Sequence, residues 1–165
     1  MSGSARFQIG DCVVYGTRAV CRVSDIGPLS FGDSSRHYYT LRPVFESHGE
    51  TIYAPLDCKV SVRPIISANE AEACIMSAAD MEGKSANAPD EQQGLLQSQD
   101  CMKLISCVKA LKCREAELAE KKKRLREADR RFLEHAEKLL YGELAAALDC
   151  TLHDVKARAE ESYGI

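Results

Sequence analysis

The sequence predicts an α+β chain in two domains: a small antiparallel β-barrel followed by an all-α helical bundle. Three observations point there. Through the first third, β-branched and aromatic residues alternate with polar ones. After Ile66 that period of two gives way to helical spacing. The 165 residues, 45% of them hydrophobic, allow one modest core or two small ones.

The alternation places strands at residues 12–15, 19–26, 37–43, 51–54 and 61–64. Gly27-Pro28, Gly32-Asp33-Ser34-Ser35 and Ser47-His48-Gly49-Glu50 supply turns between them. Five short strands in so little chain suit a Tudor-like or SH3-like barrel, because closure removes most exposed edges. Ser67-Ala68-Asn69-Glu70 then has the capping-box form, in which a serine hydroxyl and a glutamate carboxylate satisfy free amides at a helix start. A helix is expected over 69–81. Residues 81–91 are polar, small and proline-containing, and read as a linker holding the domain boundary. The expected division is a β module at 1–66, a capped helix and acidic linker at 67–94, and a helical domain at 95–165.

From Asp100 onward, Cys101, Leu104, Ile105, Val108, Leu111 and Leu118 share one helical face. Leu125, Ala128, Phe132, Ala136, Leu139 and Leu140 share another, so two long helices should pack antiparallel. Thr151-Leu152-His153-Asp154 opens a last short helix, with Thr151 as cap and Asp154 near the positive end of the helix dipole.

A net charge of −3 argues against a protein that coats nucleic acid by electrostatics alone, since such binding neutralises many phosphates. The distribution is uneven. Residues 1–66 hold seven basic and six acidic groups, and residues 67–100 hold one basic group, Lys84, against seven acids. Residues 112–131 hold nine basic against five acidic groups. Within them Lys121, Lys122, Lys123, Arg124, Arg126, Arg130 and Arg131 are suited to tracking phosphates. They are equally suited to a solvated helix surface, paired with Glu115, Glu117, Glu120 and Glu127 at helical spacings.

Several classes are excluded. No apolar run reaches the ~18 residues of a membrane span, and the start Met1-Ser2-Gly3-Ser4-Ala5-Arg6 lacks a secretion signal's apolar core, so a cytoplasmic protein is expected. Of eight cysteines none forms a Cys-x-x-Cys pair, and Cys101, Cys107 and Cys113 recur every six residues around a helix. Reduced thiols without a metal are the reading. His37, His48, His135 and His153 are scattered, and no nucleophile, phosphate-loop or metalloprotease motif occurs. The expectation is a non-enzyme without cofactor or small-molecule substrate.

Phe7-Gln8-Ile9-Gly10-Asp11-Cys12-Val13-Val14-Tyr15 resembles the opening strand of the CarD-like family, whose N-terminal module is shared with the transcription-repair coupling factor. The resemblance continues in order through Val23-Ser24-Asp25-Ile26, Tyr38-Tyr39-Thr40-Leu41 and Thr51-Ile52-Tyr53-Ala54-Pro55. It reaches Val62-Arg63-Pro64-Ile65-Ile66-Ser67, similar to the family's closing Arg-Pro-Val/Ile-Ile-Ser. In the helical half, Asp129-Arg130-Arg131-Phe132-Leu133 and Gly142-Glu143-Leu144-Ala145 are similar to family elements.

The resemblance implies that the β module binds the β subunit of RNA polymerase and that the helical domain faces promoter DNA, shifting the closed-to-open equilibrium without chemistry. Thr51, Tyr53 and Pro55 fall on one strand face by period two, with Tyr38 and Thr40 on the neighbouring strand. Docking is thus assigned to Leu29, Tyr38, Thr40, Tyr53 and Pro55; the alternative is that Tyr38 and Tyr53 cover the barrel core. Some members carry arginine where this chain has Leu29 and Tyr53, so the contact is expected to be more apolar here. Members that stabilise open complexes carry a tryptophan that wedges into the minor groove, whereas this chain has none. Its corresponding stretch, 90–96, is acidic and offers only Leu95 or Leu96 as apolar wedges. Gly16-Thr17-Arg18-Ala19 replaces the family's Pro-x-His-Gly turn. A second reading is an interaction adaptor whose helical domain self-associates or binds another protein.

Overall fold

Backbone pairing follows the alternation of side chains. In the computed structural model, which describes residues 5–46, 49–57 and 62–165, five strands form: β1 Cys12–Tyr15, β2 Ala19–Gly27, β3 Tyr38–Pro43, β4 Ile52–Pro55 and β5 Val62–Pro64. They make one antiparallel sheet in the order β4-β3-β2-β1-β5, a meander whose fifth strand returns beside the first. Gly16 takes φ +53°, which lets β1 turn into β2 between the paired Tyr15 and Ala19. In β2 the register slips between Val23 and Asp25, and the Ser24 hydroxyl donates to the Thr40 carbonyl at 3.1 Å. Val13, Cys21, Val23, Tyr39, Leu41, Ile52 and Ala54 form the core with Phe7, whose ring meets Tyr39 edge-on.

The expected barrel is not closed. Among the described residues β4 pairs with β3 alone and β5 with β1 alone, so the sheet ends in two edges. Pro64, at the end of β5, has no N–H to donate to a closing ladder. Ser61 of the expected fifth strand, Ser47 and His48 of the expected turn, and Cys58 lie outside the described residues.

Contacts divide the chain into two compact units, Met1–Ile65 and Ile66–Ile165. The second holds α1 Ala68–Ser77, α2 Pro89–Ser98, α3 Cys101–Glu120, α4 Glu127–Leu148 and α5 Leu152–Tyr163. Ser67 and Glu70 form the expected capping box, as do Thr151 and Asp154 on α5, and Asp100 caps α3 by accepting from Met102 N–H and Lys103 N–H. α1 stops four residues short of Met81. The Lys109 ammonium, from α3, donates to the carbonyls of Ala78 and Met81 at 2.6 and 2.7 Å, filling the acceptors left at the helix end.

The stretch 81–91, expected as a linker, belongs by its contacts to the helical unit. Gly83 lies so close to α3 that a Cβ would sit 2.8 Å from the Ala110 nitrogen, and Lys84 N–H donates to the Ser106 hydroxyl. α2 follows at once, with Pro89 at its first turn followed by Asp90 and Glu91. The core is built from Ala71, Cys74 and Ile75 of α1, Leu104, Ile105, Val108 and Leu111 of α3, Phe132, Ala136, Leu140 and Leu144 of α4, and Val155 and Ala159 of α5. Leu118 and Leu125 are half-buried and Ala128 is exposed, since they stand in the last turn of α3, in the connection and in the first turn of α4, beyond the packed middle of the two helices. Leu96 is buried and Leu95 half-buried, so Leu96 is not displayed as a wedge.

Candidate functional site

The first candidate is the outward face of β3 and β4. Because neighbouring residues on a strand point to opposite sides, burying Tyr39, Leu41, Ile52 and Ala54 turns Tyr38, Thr40, Tyr53 and Pro55 away from the core. The register sets Tyr38 opposite Pro55 and Thr40 opposite Tyr53, so four of the five residues assigned from sequence form one contiguous block. Tyr53 is 42% exposed and does not cover the core. Leu29 is half-buried in the connection between β2 and β3, outside this register.

Two further residues belong to the block. The Phe31 ring, 58% exposed, meets the Tyr53 ring edge-on with centroids 5.3 Å apart and planes at 85°. The Arg36 guanidinium lies 5.9 Å from the Tyr38 ring centroid and bonds Asp57 at 3.1 Å; that bond raises the arginine pKa and lowers the aspartate's. Period-two reasoning passed over both, since they stand in the turn-rich stretch between strands; the signal was an aromatic and an arginine among small polar residues.

The second candidate is the connection between α3 and α4. Lys121 caps α3, Lys122 takes φ +57°, and Lys123 N–H returns to the Leu118 carbonyl at 2.7 Å, a left-handed stop that projects the chain outward. Lys121, Lys122, Lys123 and Arg124 are exposed, and no ion pair is found for them among the described residues. The three arginines beyond are engaged. Arg130 bonds both Glu127 oxygens at 2.6 and 3.2 Å and Glu134 at 2.7 Å, and Arg131 reaches Glu127 at 3.1 Å. Arg126 forks onto Asp129, 2% exposed, which also accepts from Gln92 of α2 at 3.0 Å. The Arg126 bond holds the Asp129 carboxyl below the usual range against the opposing effect of burial. Of seven cations assigned from sequence, four are therefore uncommitted and three brace the start of α4.

Inside the helical unit Lys112 of α3 faces Glu115 of the same helix, Glu137 of α4 and Glu160 of α5. Beside them the Tyr141 and Tyr163 hydroxyls share a buried hydrogen bond of 3.0 Å. This cluster joins three helices. A groove of about 380 Å³ between α2 and α4 is lined by Leu96, Phe132, Arg131 and His135 among others.

No disulfide joins the described cysteines, and no group of metal-ligating side chains is found among the described residues. No helix there is long and apolar enough to cross a membrane. Residues 7–66 match the family model of the CarD-like/TRCF RID domain. The match coincides with the β unit and stops before α1, so the likeness seen at 129–133 and 142–145 lies beyond it. No curated protein matches the chain.

Proposed function

We propose, from the membership of the N-terminal unit in the CarD-like/TRCF RID domain family, an RNA-polymerase-interacting group, that this chain is a transcription regulator that docks on the polymerase β subunit. The carrying observation is that the matched residues fold into a sheet whose outward β3–β4 face is a continuous block of Tyr38, Thr40, Tyr53 and Pro55. Leu29 flanks that block in sequence. The helical unit, held near the promoter by this docking, presents Lys121, Lys122, Lys123 and Arg124 to phosphates of duplex DNA. It contacts the open complex better than the closed one and so shifts the population toward open, by binding and without chemistry. Without tryptophan, and with Leu96 buried, backbone contact replaces a wedge.

The docking test is a pull-down of the polymerase β subunit with the full chain. Tyr53→Ala with Pro55→Ala should abolish capture, and unchanged capture would remove the site. Promoter contact is tested on forked promoter DNA. Affinity should fall steeply with salt and collapse on charge reversal at residues 121–124, while reversal of Arg130 and Arg131 should act less directly. Abortive initiation with and without the protein then reports promoter opening.

The second reading, an interaction adaptor, is favoured by the ion pairs of Arg126, Arg130 and Arg131, which leave a smaller cationic surface than the sequence suggests. Absence of any DNA affinity at low salt alongside intact polymerase capture would select it.

A further inference from the structure

Resting on the polymerase-docking reading, we propose that Phe31 is a docking residue of the same site, forming with Tyr53 a preformed aromatic anchor that receives an apolar side chain of the polymerase β subunit. Both rings are among the most exposed large apolar groups of the β unit, yet they hold each other edge-on across 5.3 Å. Aromatic side chains have two rotatable bonds, and a pair already in contact loses little further freedom on binding. Gly32, at φ +92°, follows Phe31 immediately and makes the turn there one that a side chain would strain.

Charge decides the chemistry of the occupant. Tyr38, Thr40, Tyr53 and Pro55 are uncharged, and the Arg36 and Asp57 charges at the block are already bonded to each other. The exposed charges of the same sheet face, Asp25 opposite Thr40 on β2 and Arg42 two residues along β3, stand on the side of the block away from the two rings, and at the rings themselves an aliphatic or proline side chain would be shielded on two sides. β4 adds to this: it pairs with β3 alone among the described residues, so a polymerase segment can lie along its edge and set a side chain against Tyr53 and Phe31. The two units then respond oppositely to salt, the β unit binding through apolar contact and the helical unit through phosphates.

The experiment titrates the purified full chain against the isolated polymerase β subunit at low and high salt, with wild type, Phe31→Ala, Phe31→Lys and Ile9→Ala. Ile9 is an exposed apolar residue ahead of β1 and serves as the control. Wild-type affinity should change little with salt, Phe31→Ala should raise Kd about tenfold or more, Phe31→Lys should raise it further, and Ile9→Ala should leave it unchanged. Circular dichroism of each variant should match wild type, since the Phe31 ring is mostly in solvent. Should Phe31→Ala perturb the sheet, Phe31→Lys, which keeps a long stem over Tyr53, carries the test. Wild type that binds while both Phe31 variants bind equally well overturns the anchor and leaves the docking reading standing. Wild type that does not bind the β subunit overturns both. A dimer in sedimentation that Phe31→Ala dissolves, with polymerase affinity untouched, makes the occupant a second copy of the chain and likewise overturns the anchor.

Discussion

Replacing Lys112 with methionine keeps the aliphatic stem of a half-buried lysine and removes its charge. In the native unit its ammonium lies 3.4 Å from Glu115, 3.6 Å from Glu137 and 3.5 Å from Glu160. The Glu115 and Glu160 side chains are 43% and 32% exposed, so solvent screens them once the lysine is gone. Glu137 differs, because its Oε1 is buried without a hydrogen-bond partner and faces the ammonium as its counter-charge. At 3.6 Å and an effective dielectric of about 20, that attraction is on the order of 4–5 kcal/mol. Burial opposes the charge of Lys112 itself, and relief of that penalty in the variant cancels part of the loss. A net destabilisation of about 2–3 kcal/mol remains, or roughly 10–20 °C in Tm for a unit of this size. Thermal melts followed by helical circular dichroism measure it.

The pH dependence supplies an independent check. Burial raises the Glu137 pKa, and Lys112 opposes that rise. Without Lys112 the native carboxyl titrates at still higher pH while the unfolded one keeps its ordinary value of about 4.3. Between those values the native state binds the extra proton, so stability falls as pH rises and recovers as pH drops. The deficit of Lys112→Met should therefore be largest at neutral pH and shrink on mild acidification. A Tm within about 3 °C of wild type at neutrality, or a deficit that grows on acidification, would refute this account of the cluster.

Asp129→Ala removes the acceptor shared by Gln92 and Arg126 and should loosen α2 from α4, at about 1–2 kcal/mol by denaturant titration. Because its folded pKa is depressed, the wild-type contribution is present above the ordinary aspartate value and lost as pH falls through the folded one, so variant and wild type should converge in acid. Gly83→Ala drives a methyl to within 2.8 Å of the Ala110 backbone and should cost about 1–3 kcal/mol, measured as a lower denaturation midpoint and faster exchange of the Lys84 amide.

The strands were legible because one face of each is buried: a one-residue slip would turn Val13, Leu41 or Ala54 to solvent, so alternation alone specifies where each lies. The caps at Ser67 and Thr151 were legible because capping chemistry is local to four residues. The outward face of β3 and β4 was legible for the same reason as the strands, since Tyr38, Thr40, Tyr53 and Pro55 are the complement of the buried set. Phe31 was not, because its contact with Tyr53 depends on the path of a loop that no periodicity encodes.

The sequence by itself determined the five strands, the capped first helix, the two long helices and the last one, and which strand face turns outward, all consequences of side-chain period and local hydrogen bonding. It did not show α2, which was read as part of a linker. Only the tertiary structure decided three things. Residues 81–91 are packed rather than a tether, because Gly83 admits α3 and Ser106 and Gln92 satisfy its backbone. Among the described residues the sheet stays open, with β4 and β5 each paired on one side alone. Of seven clustered cations, Arg126, Arg130 and Arg131 meet carboxylates while residues 121–124 do not, because helix geometry brings Glu127, Asp129 and Glu134 within reach of the three arginines on α4 and its cap, and the turn before them leaves that helix surface.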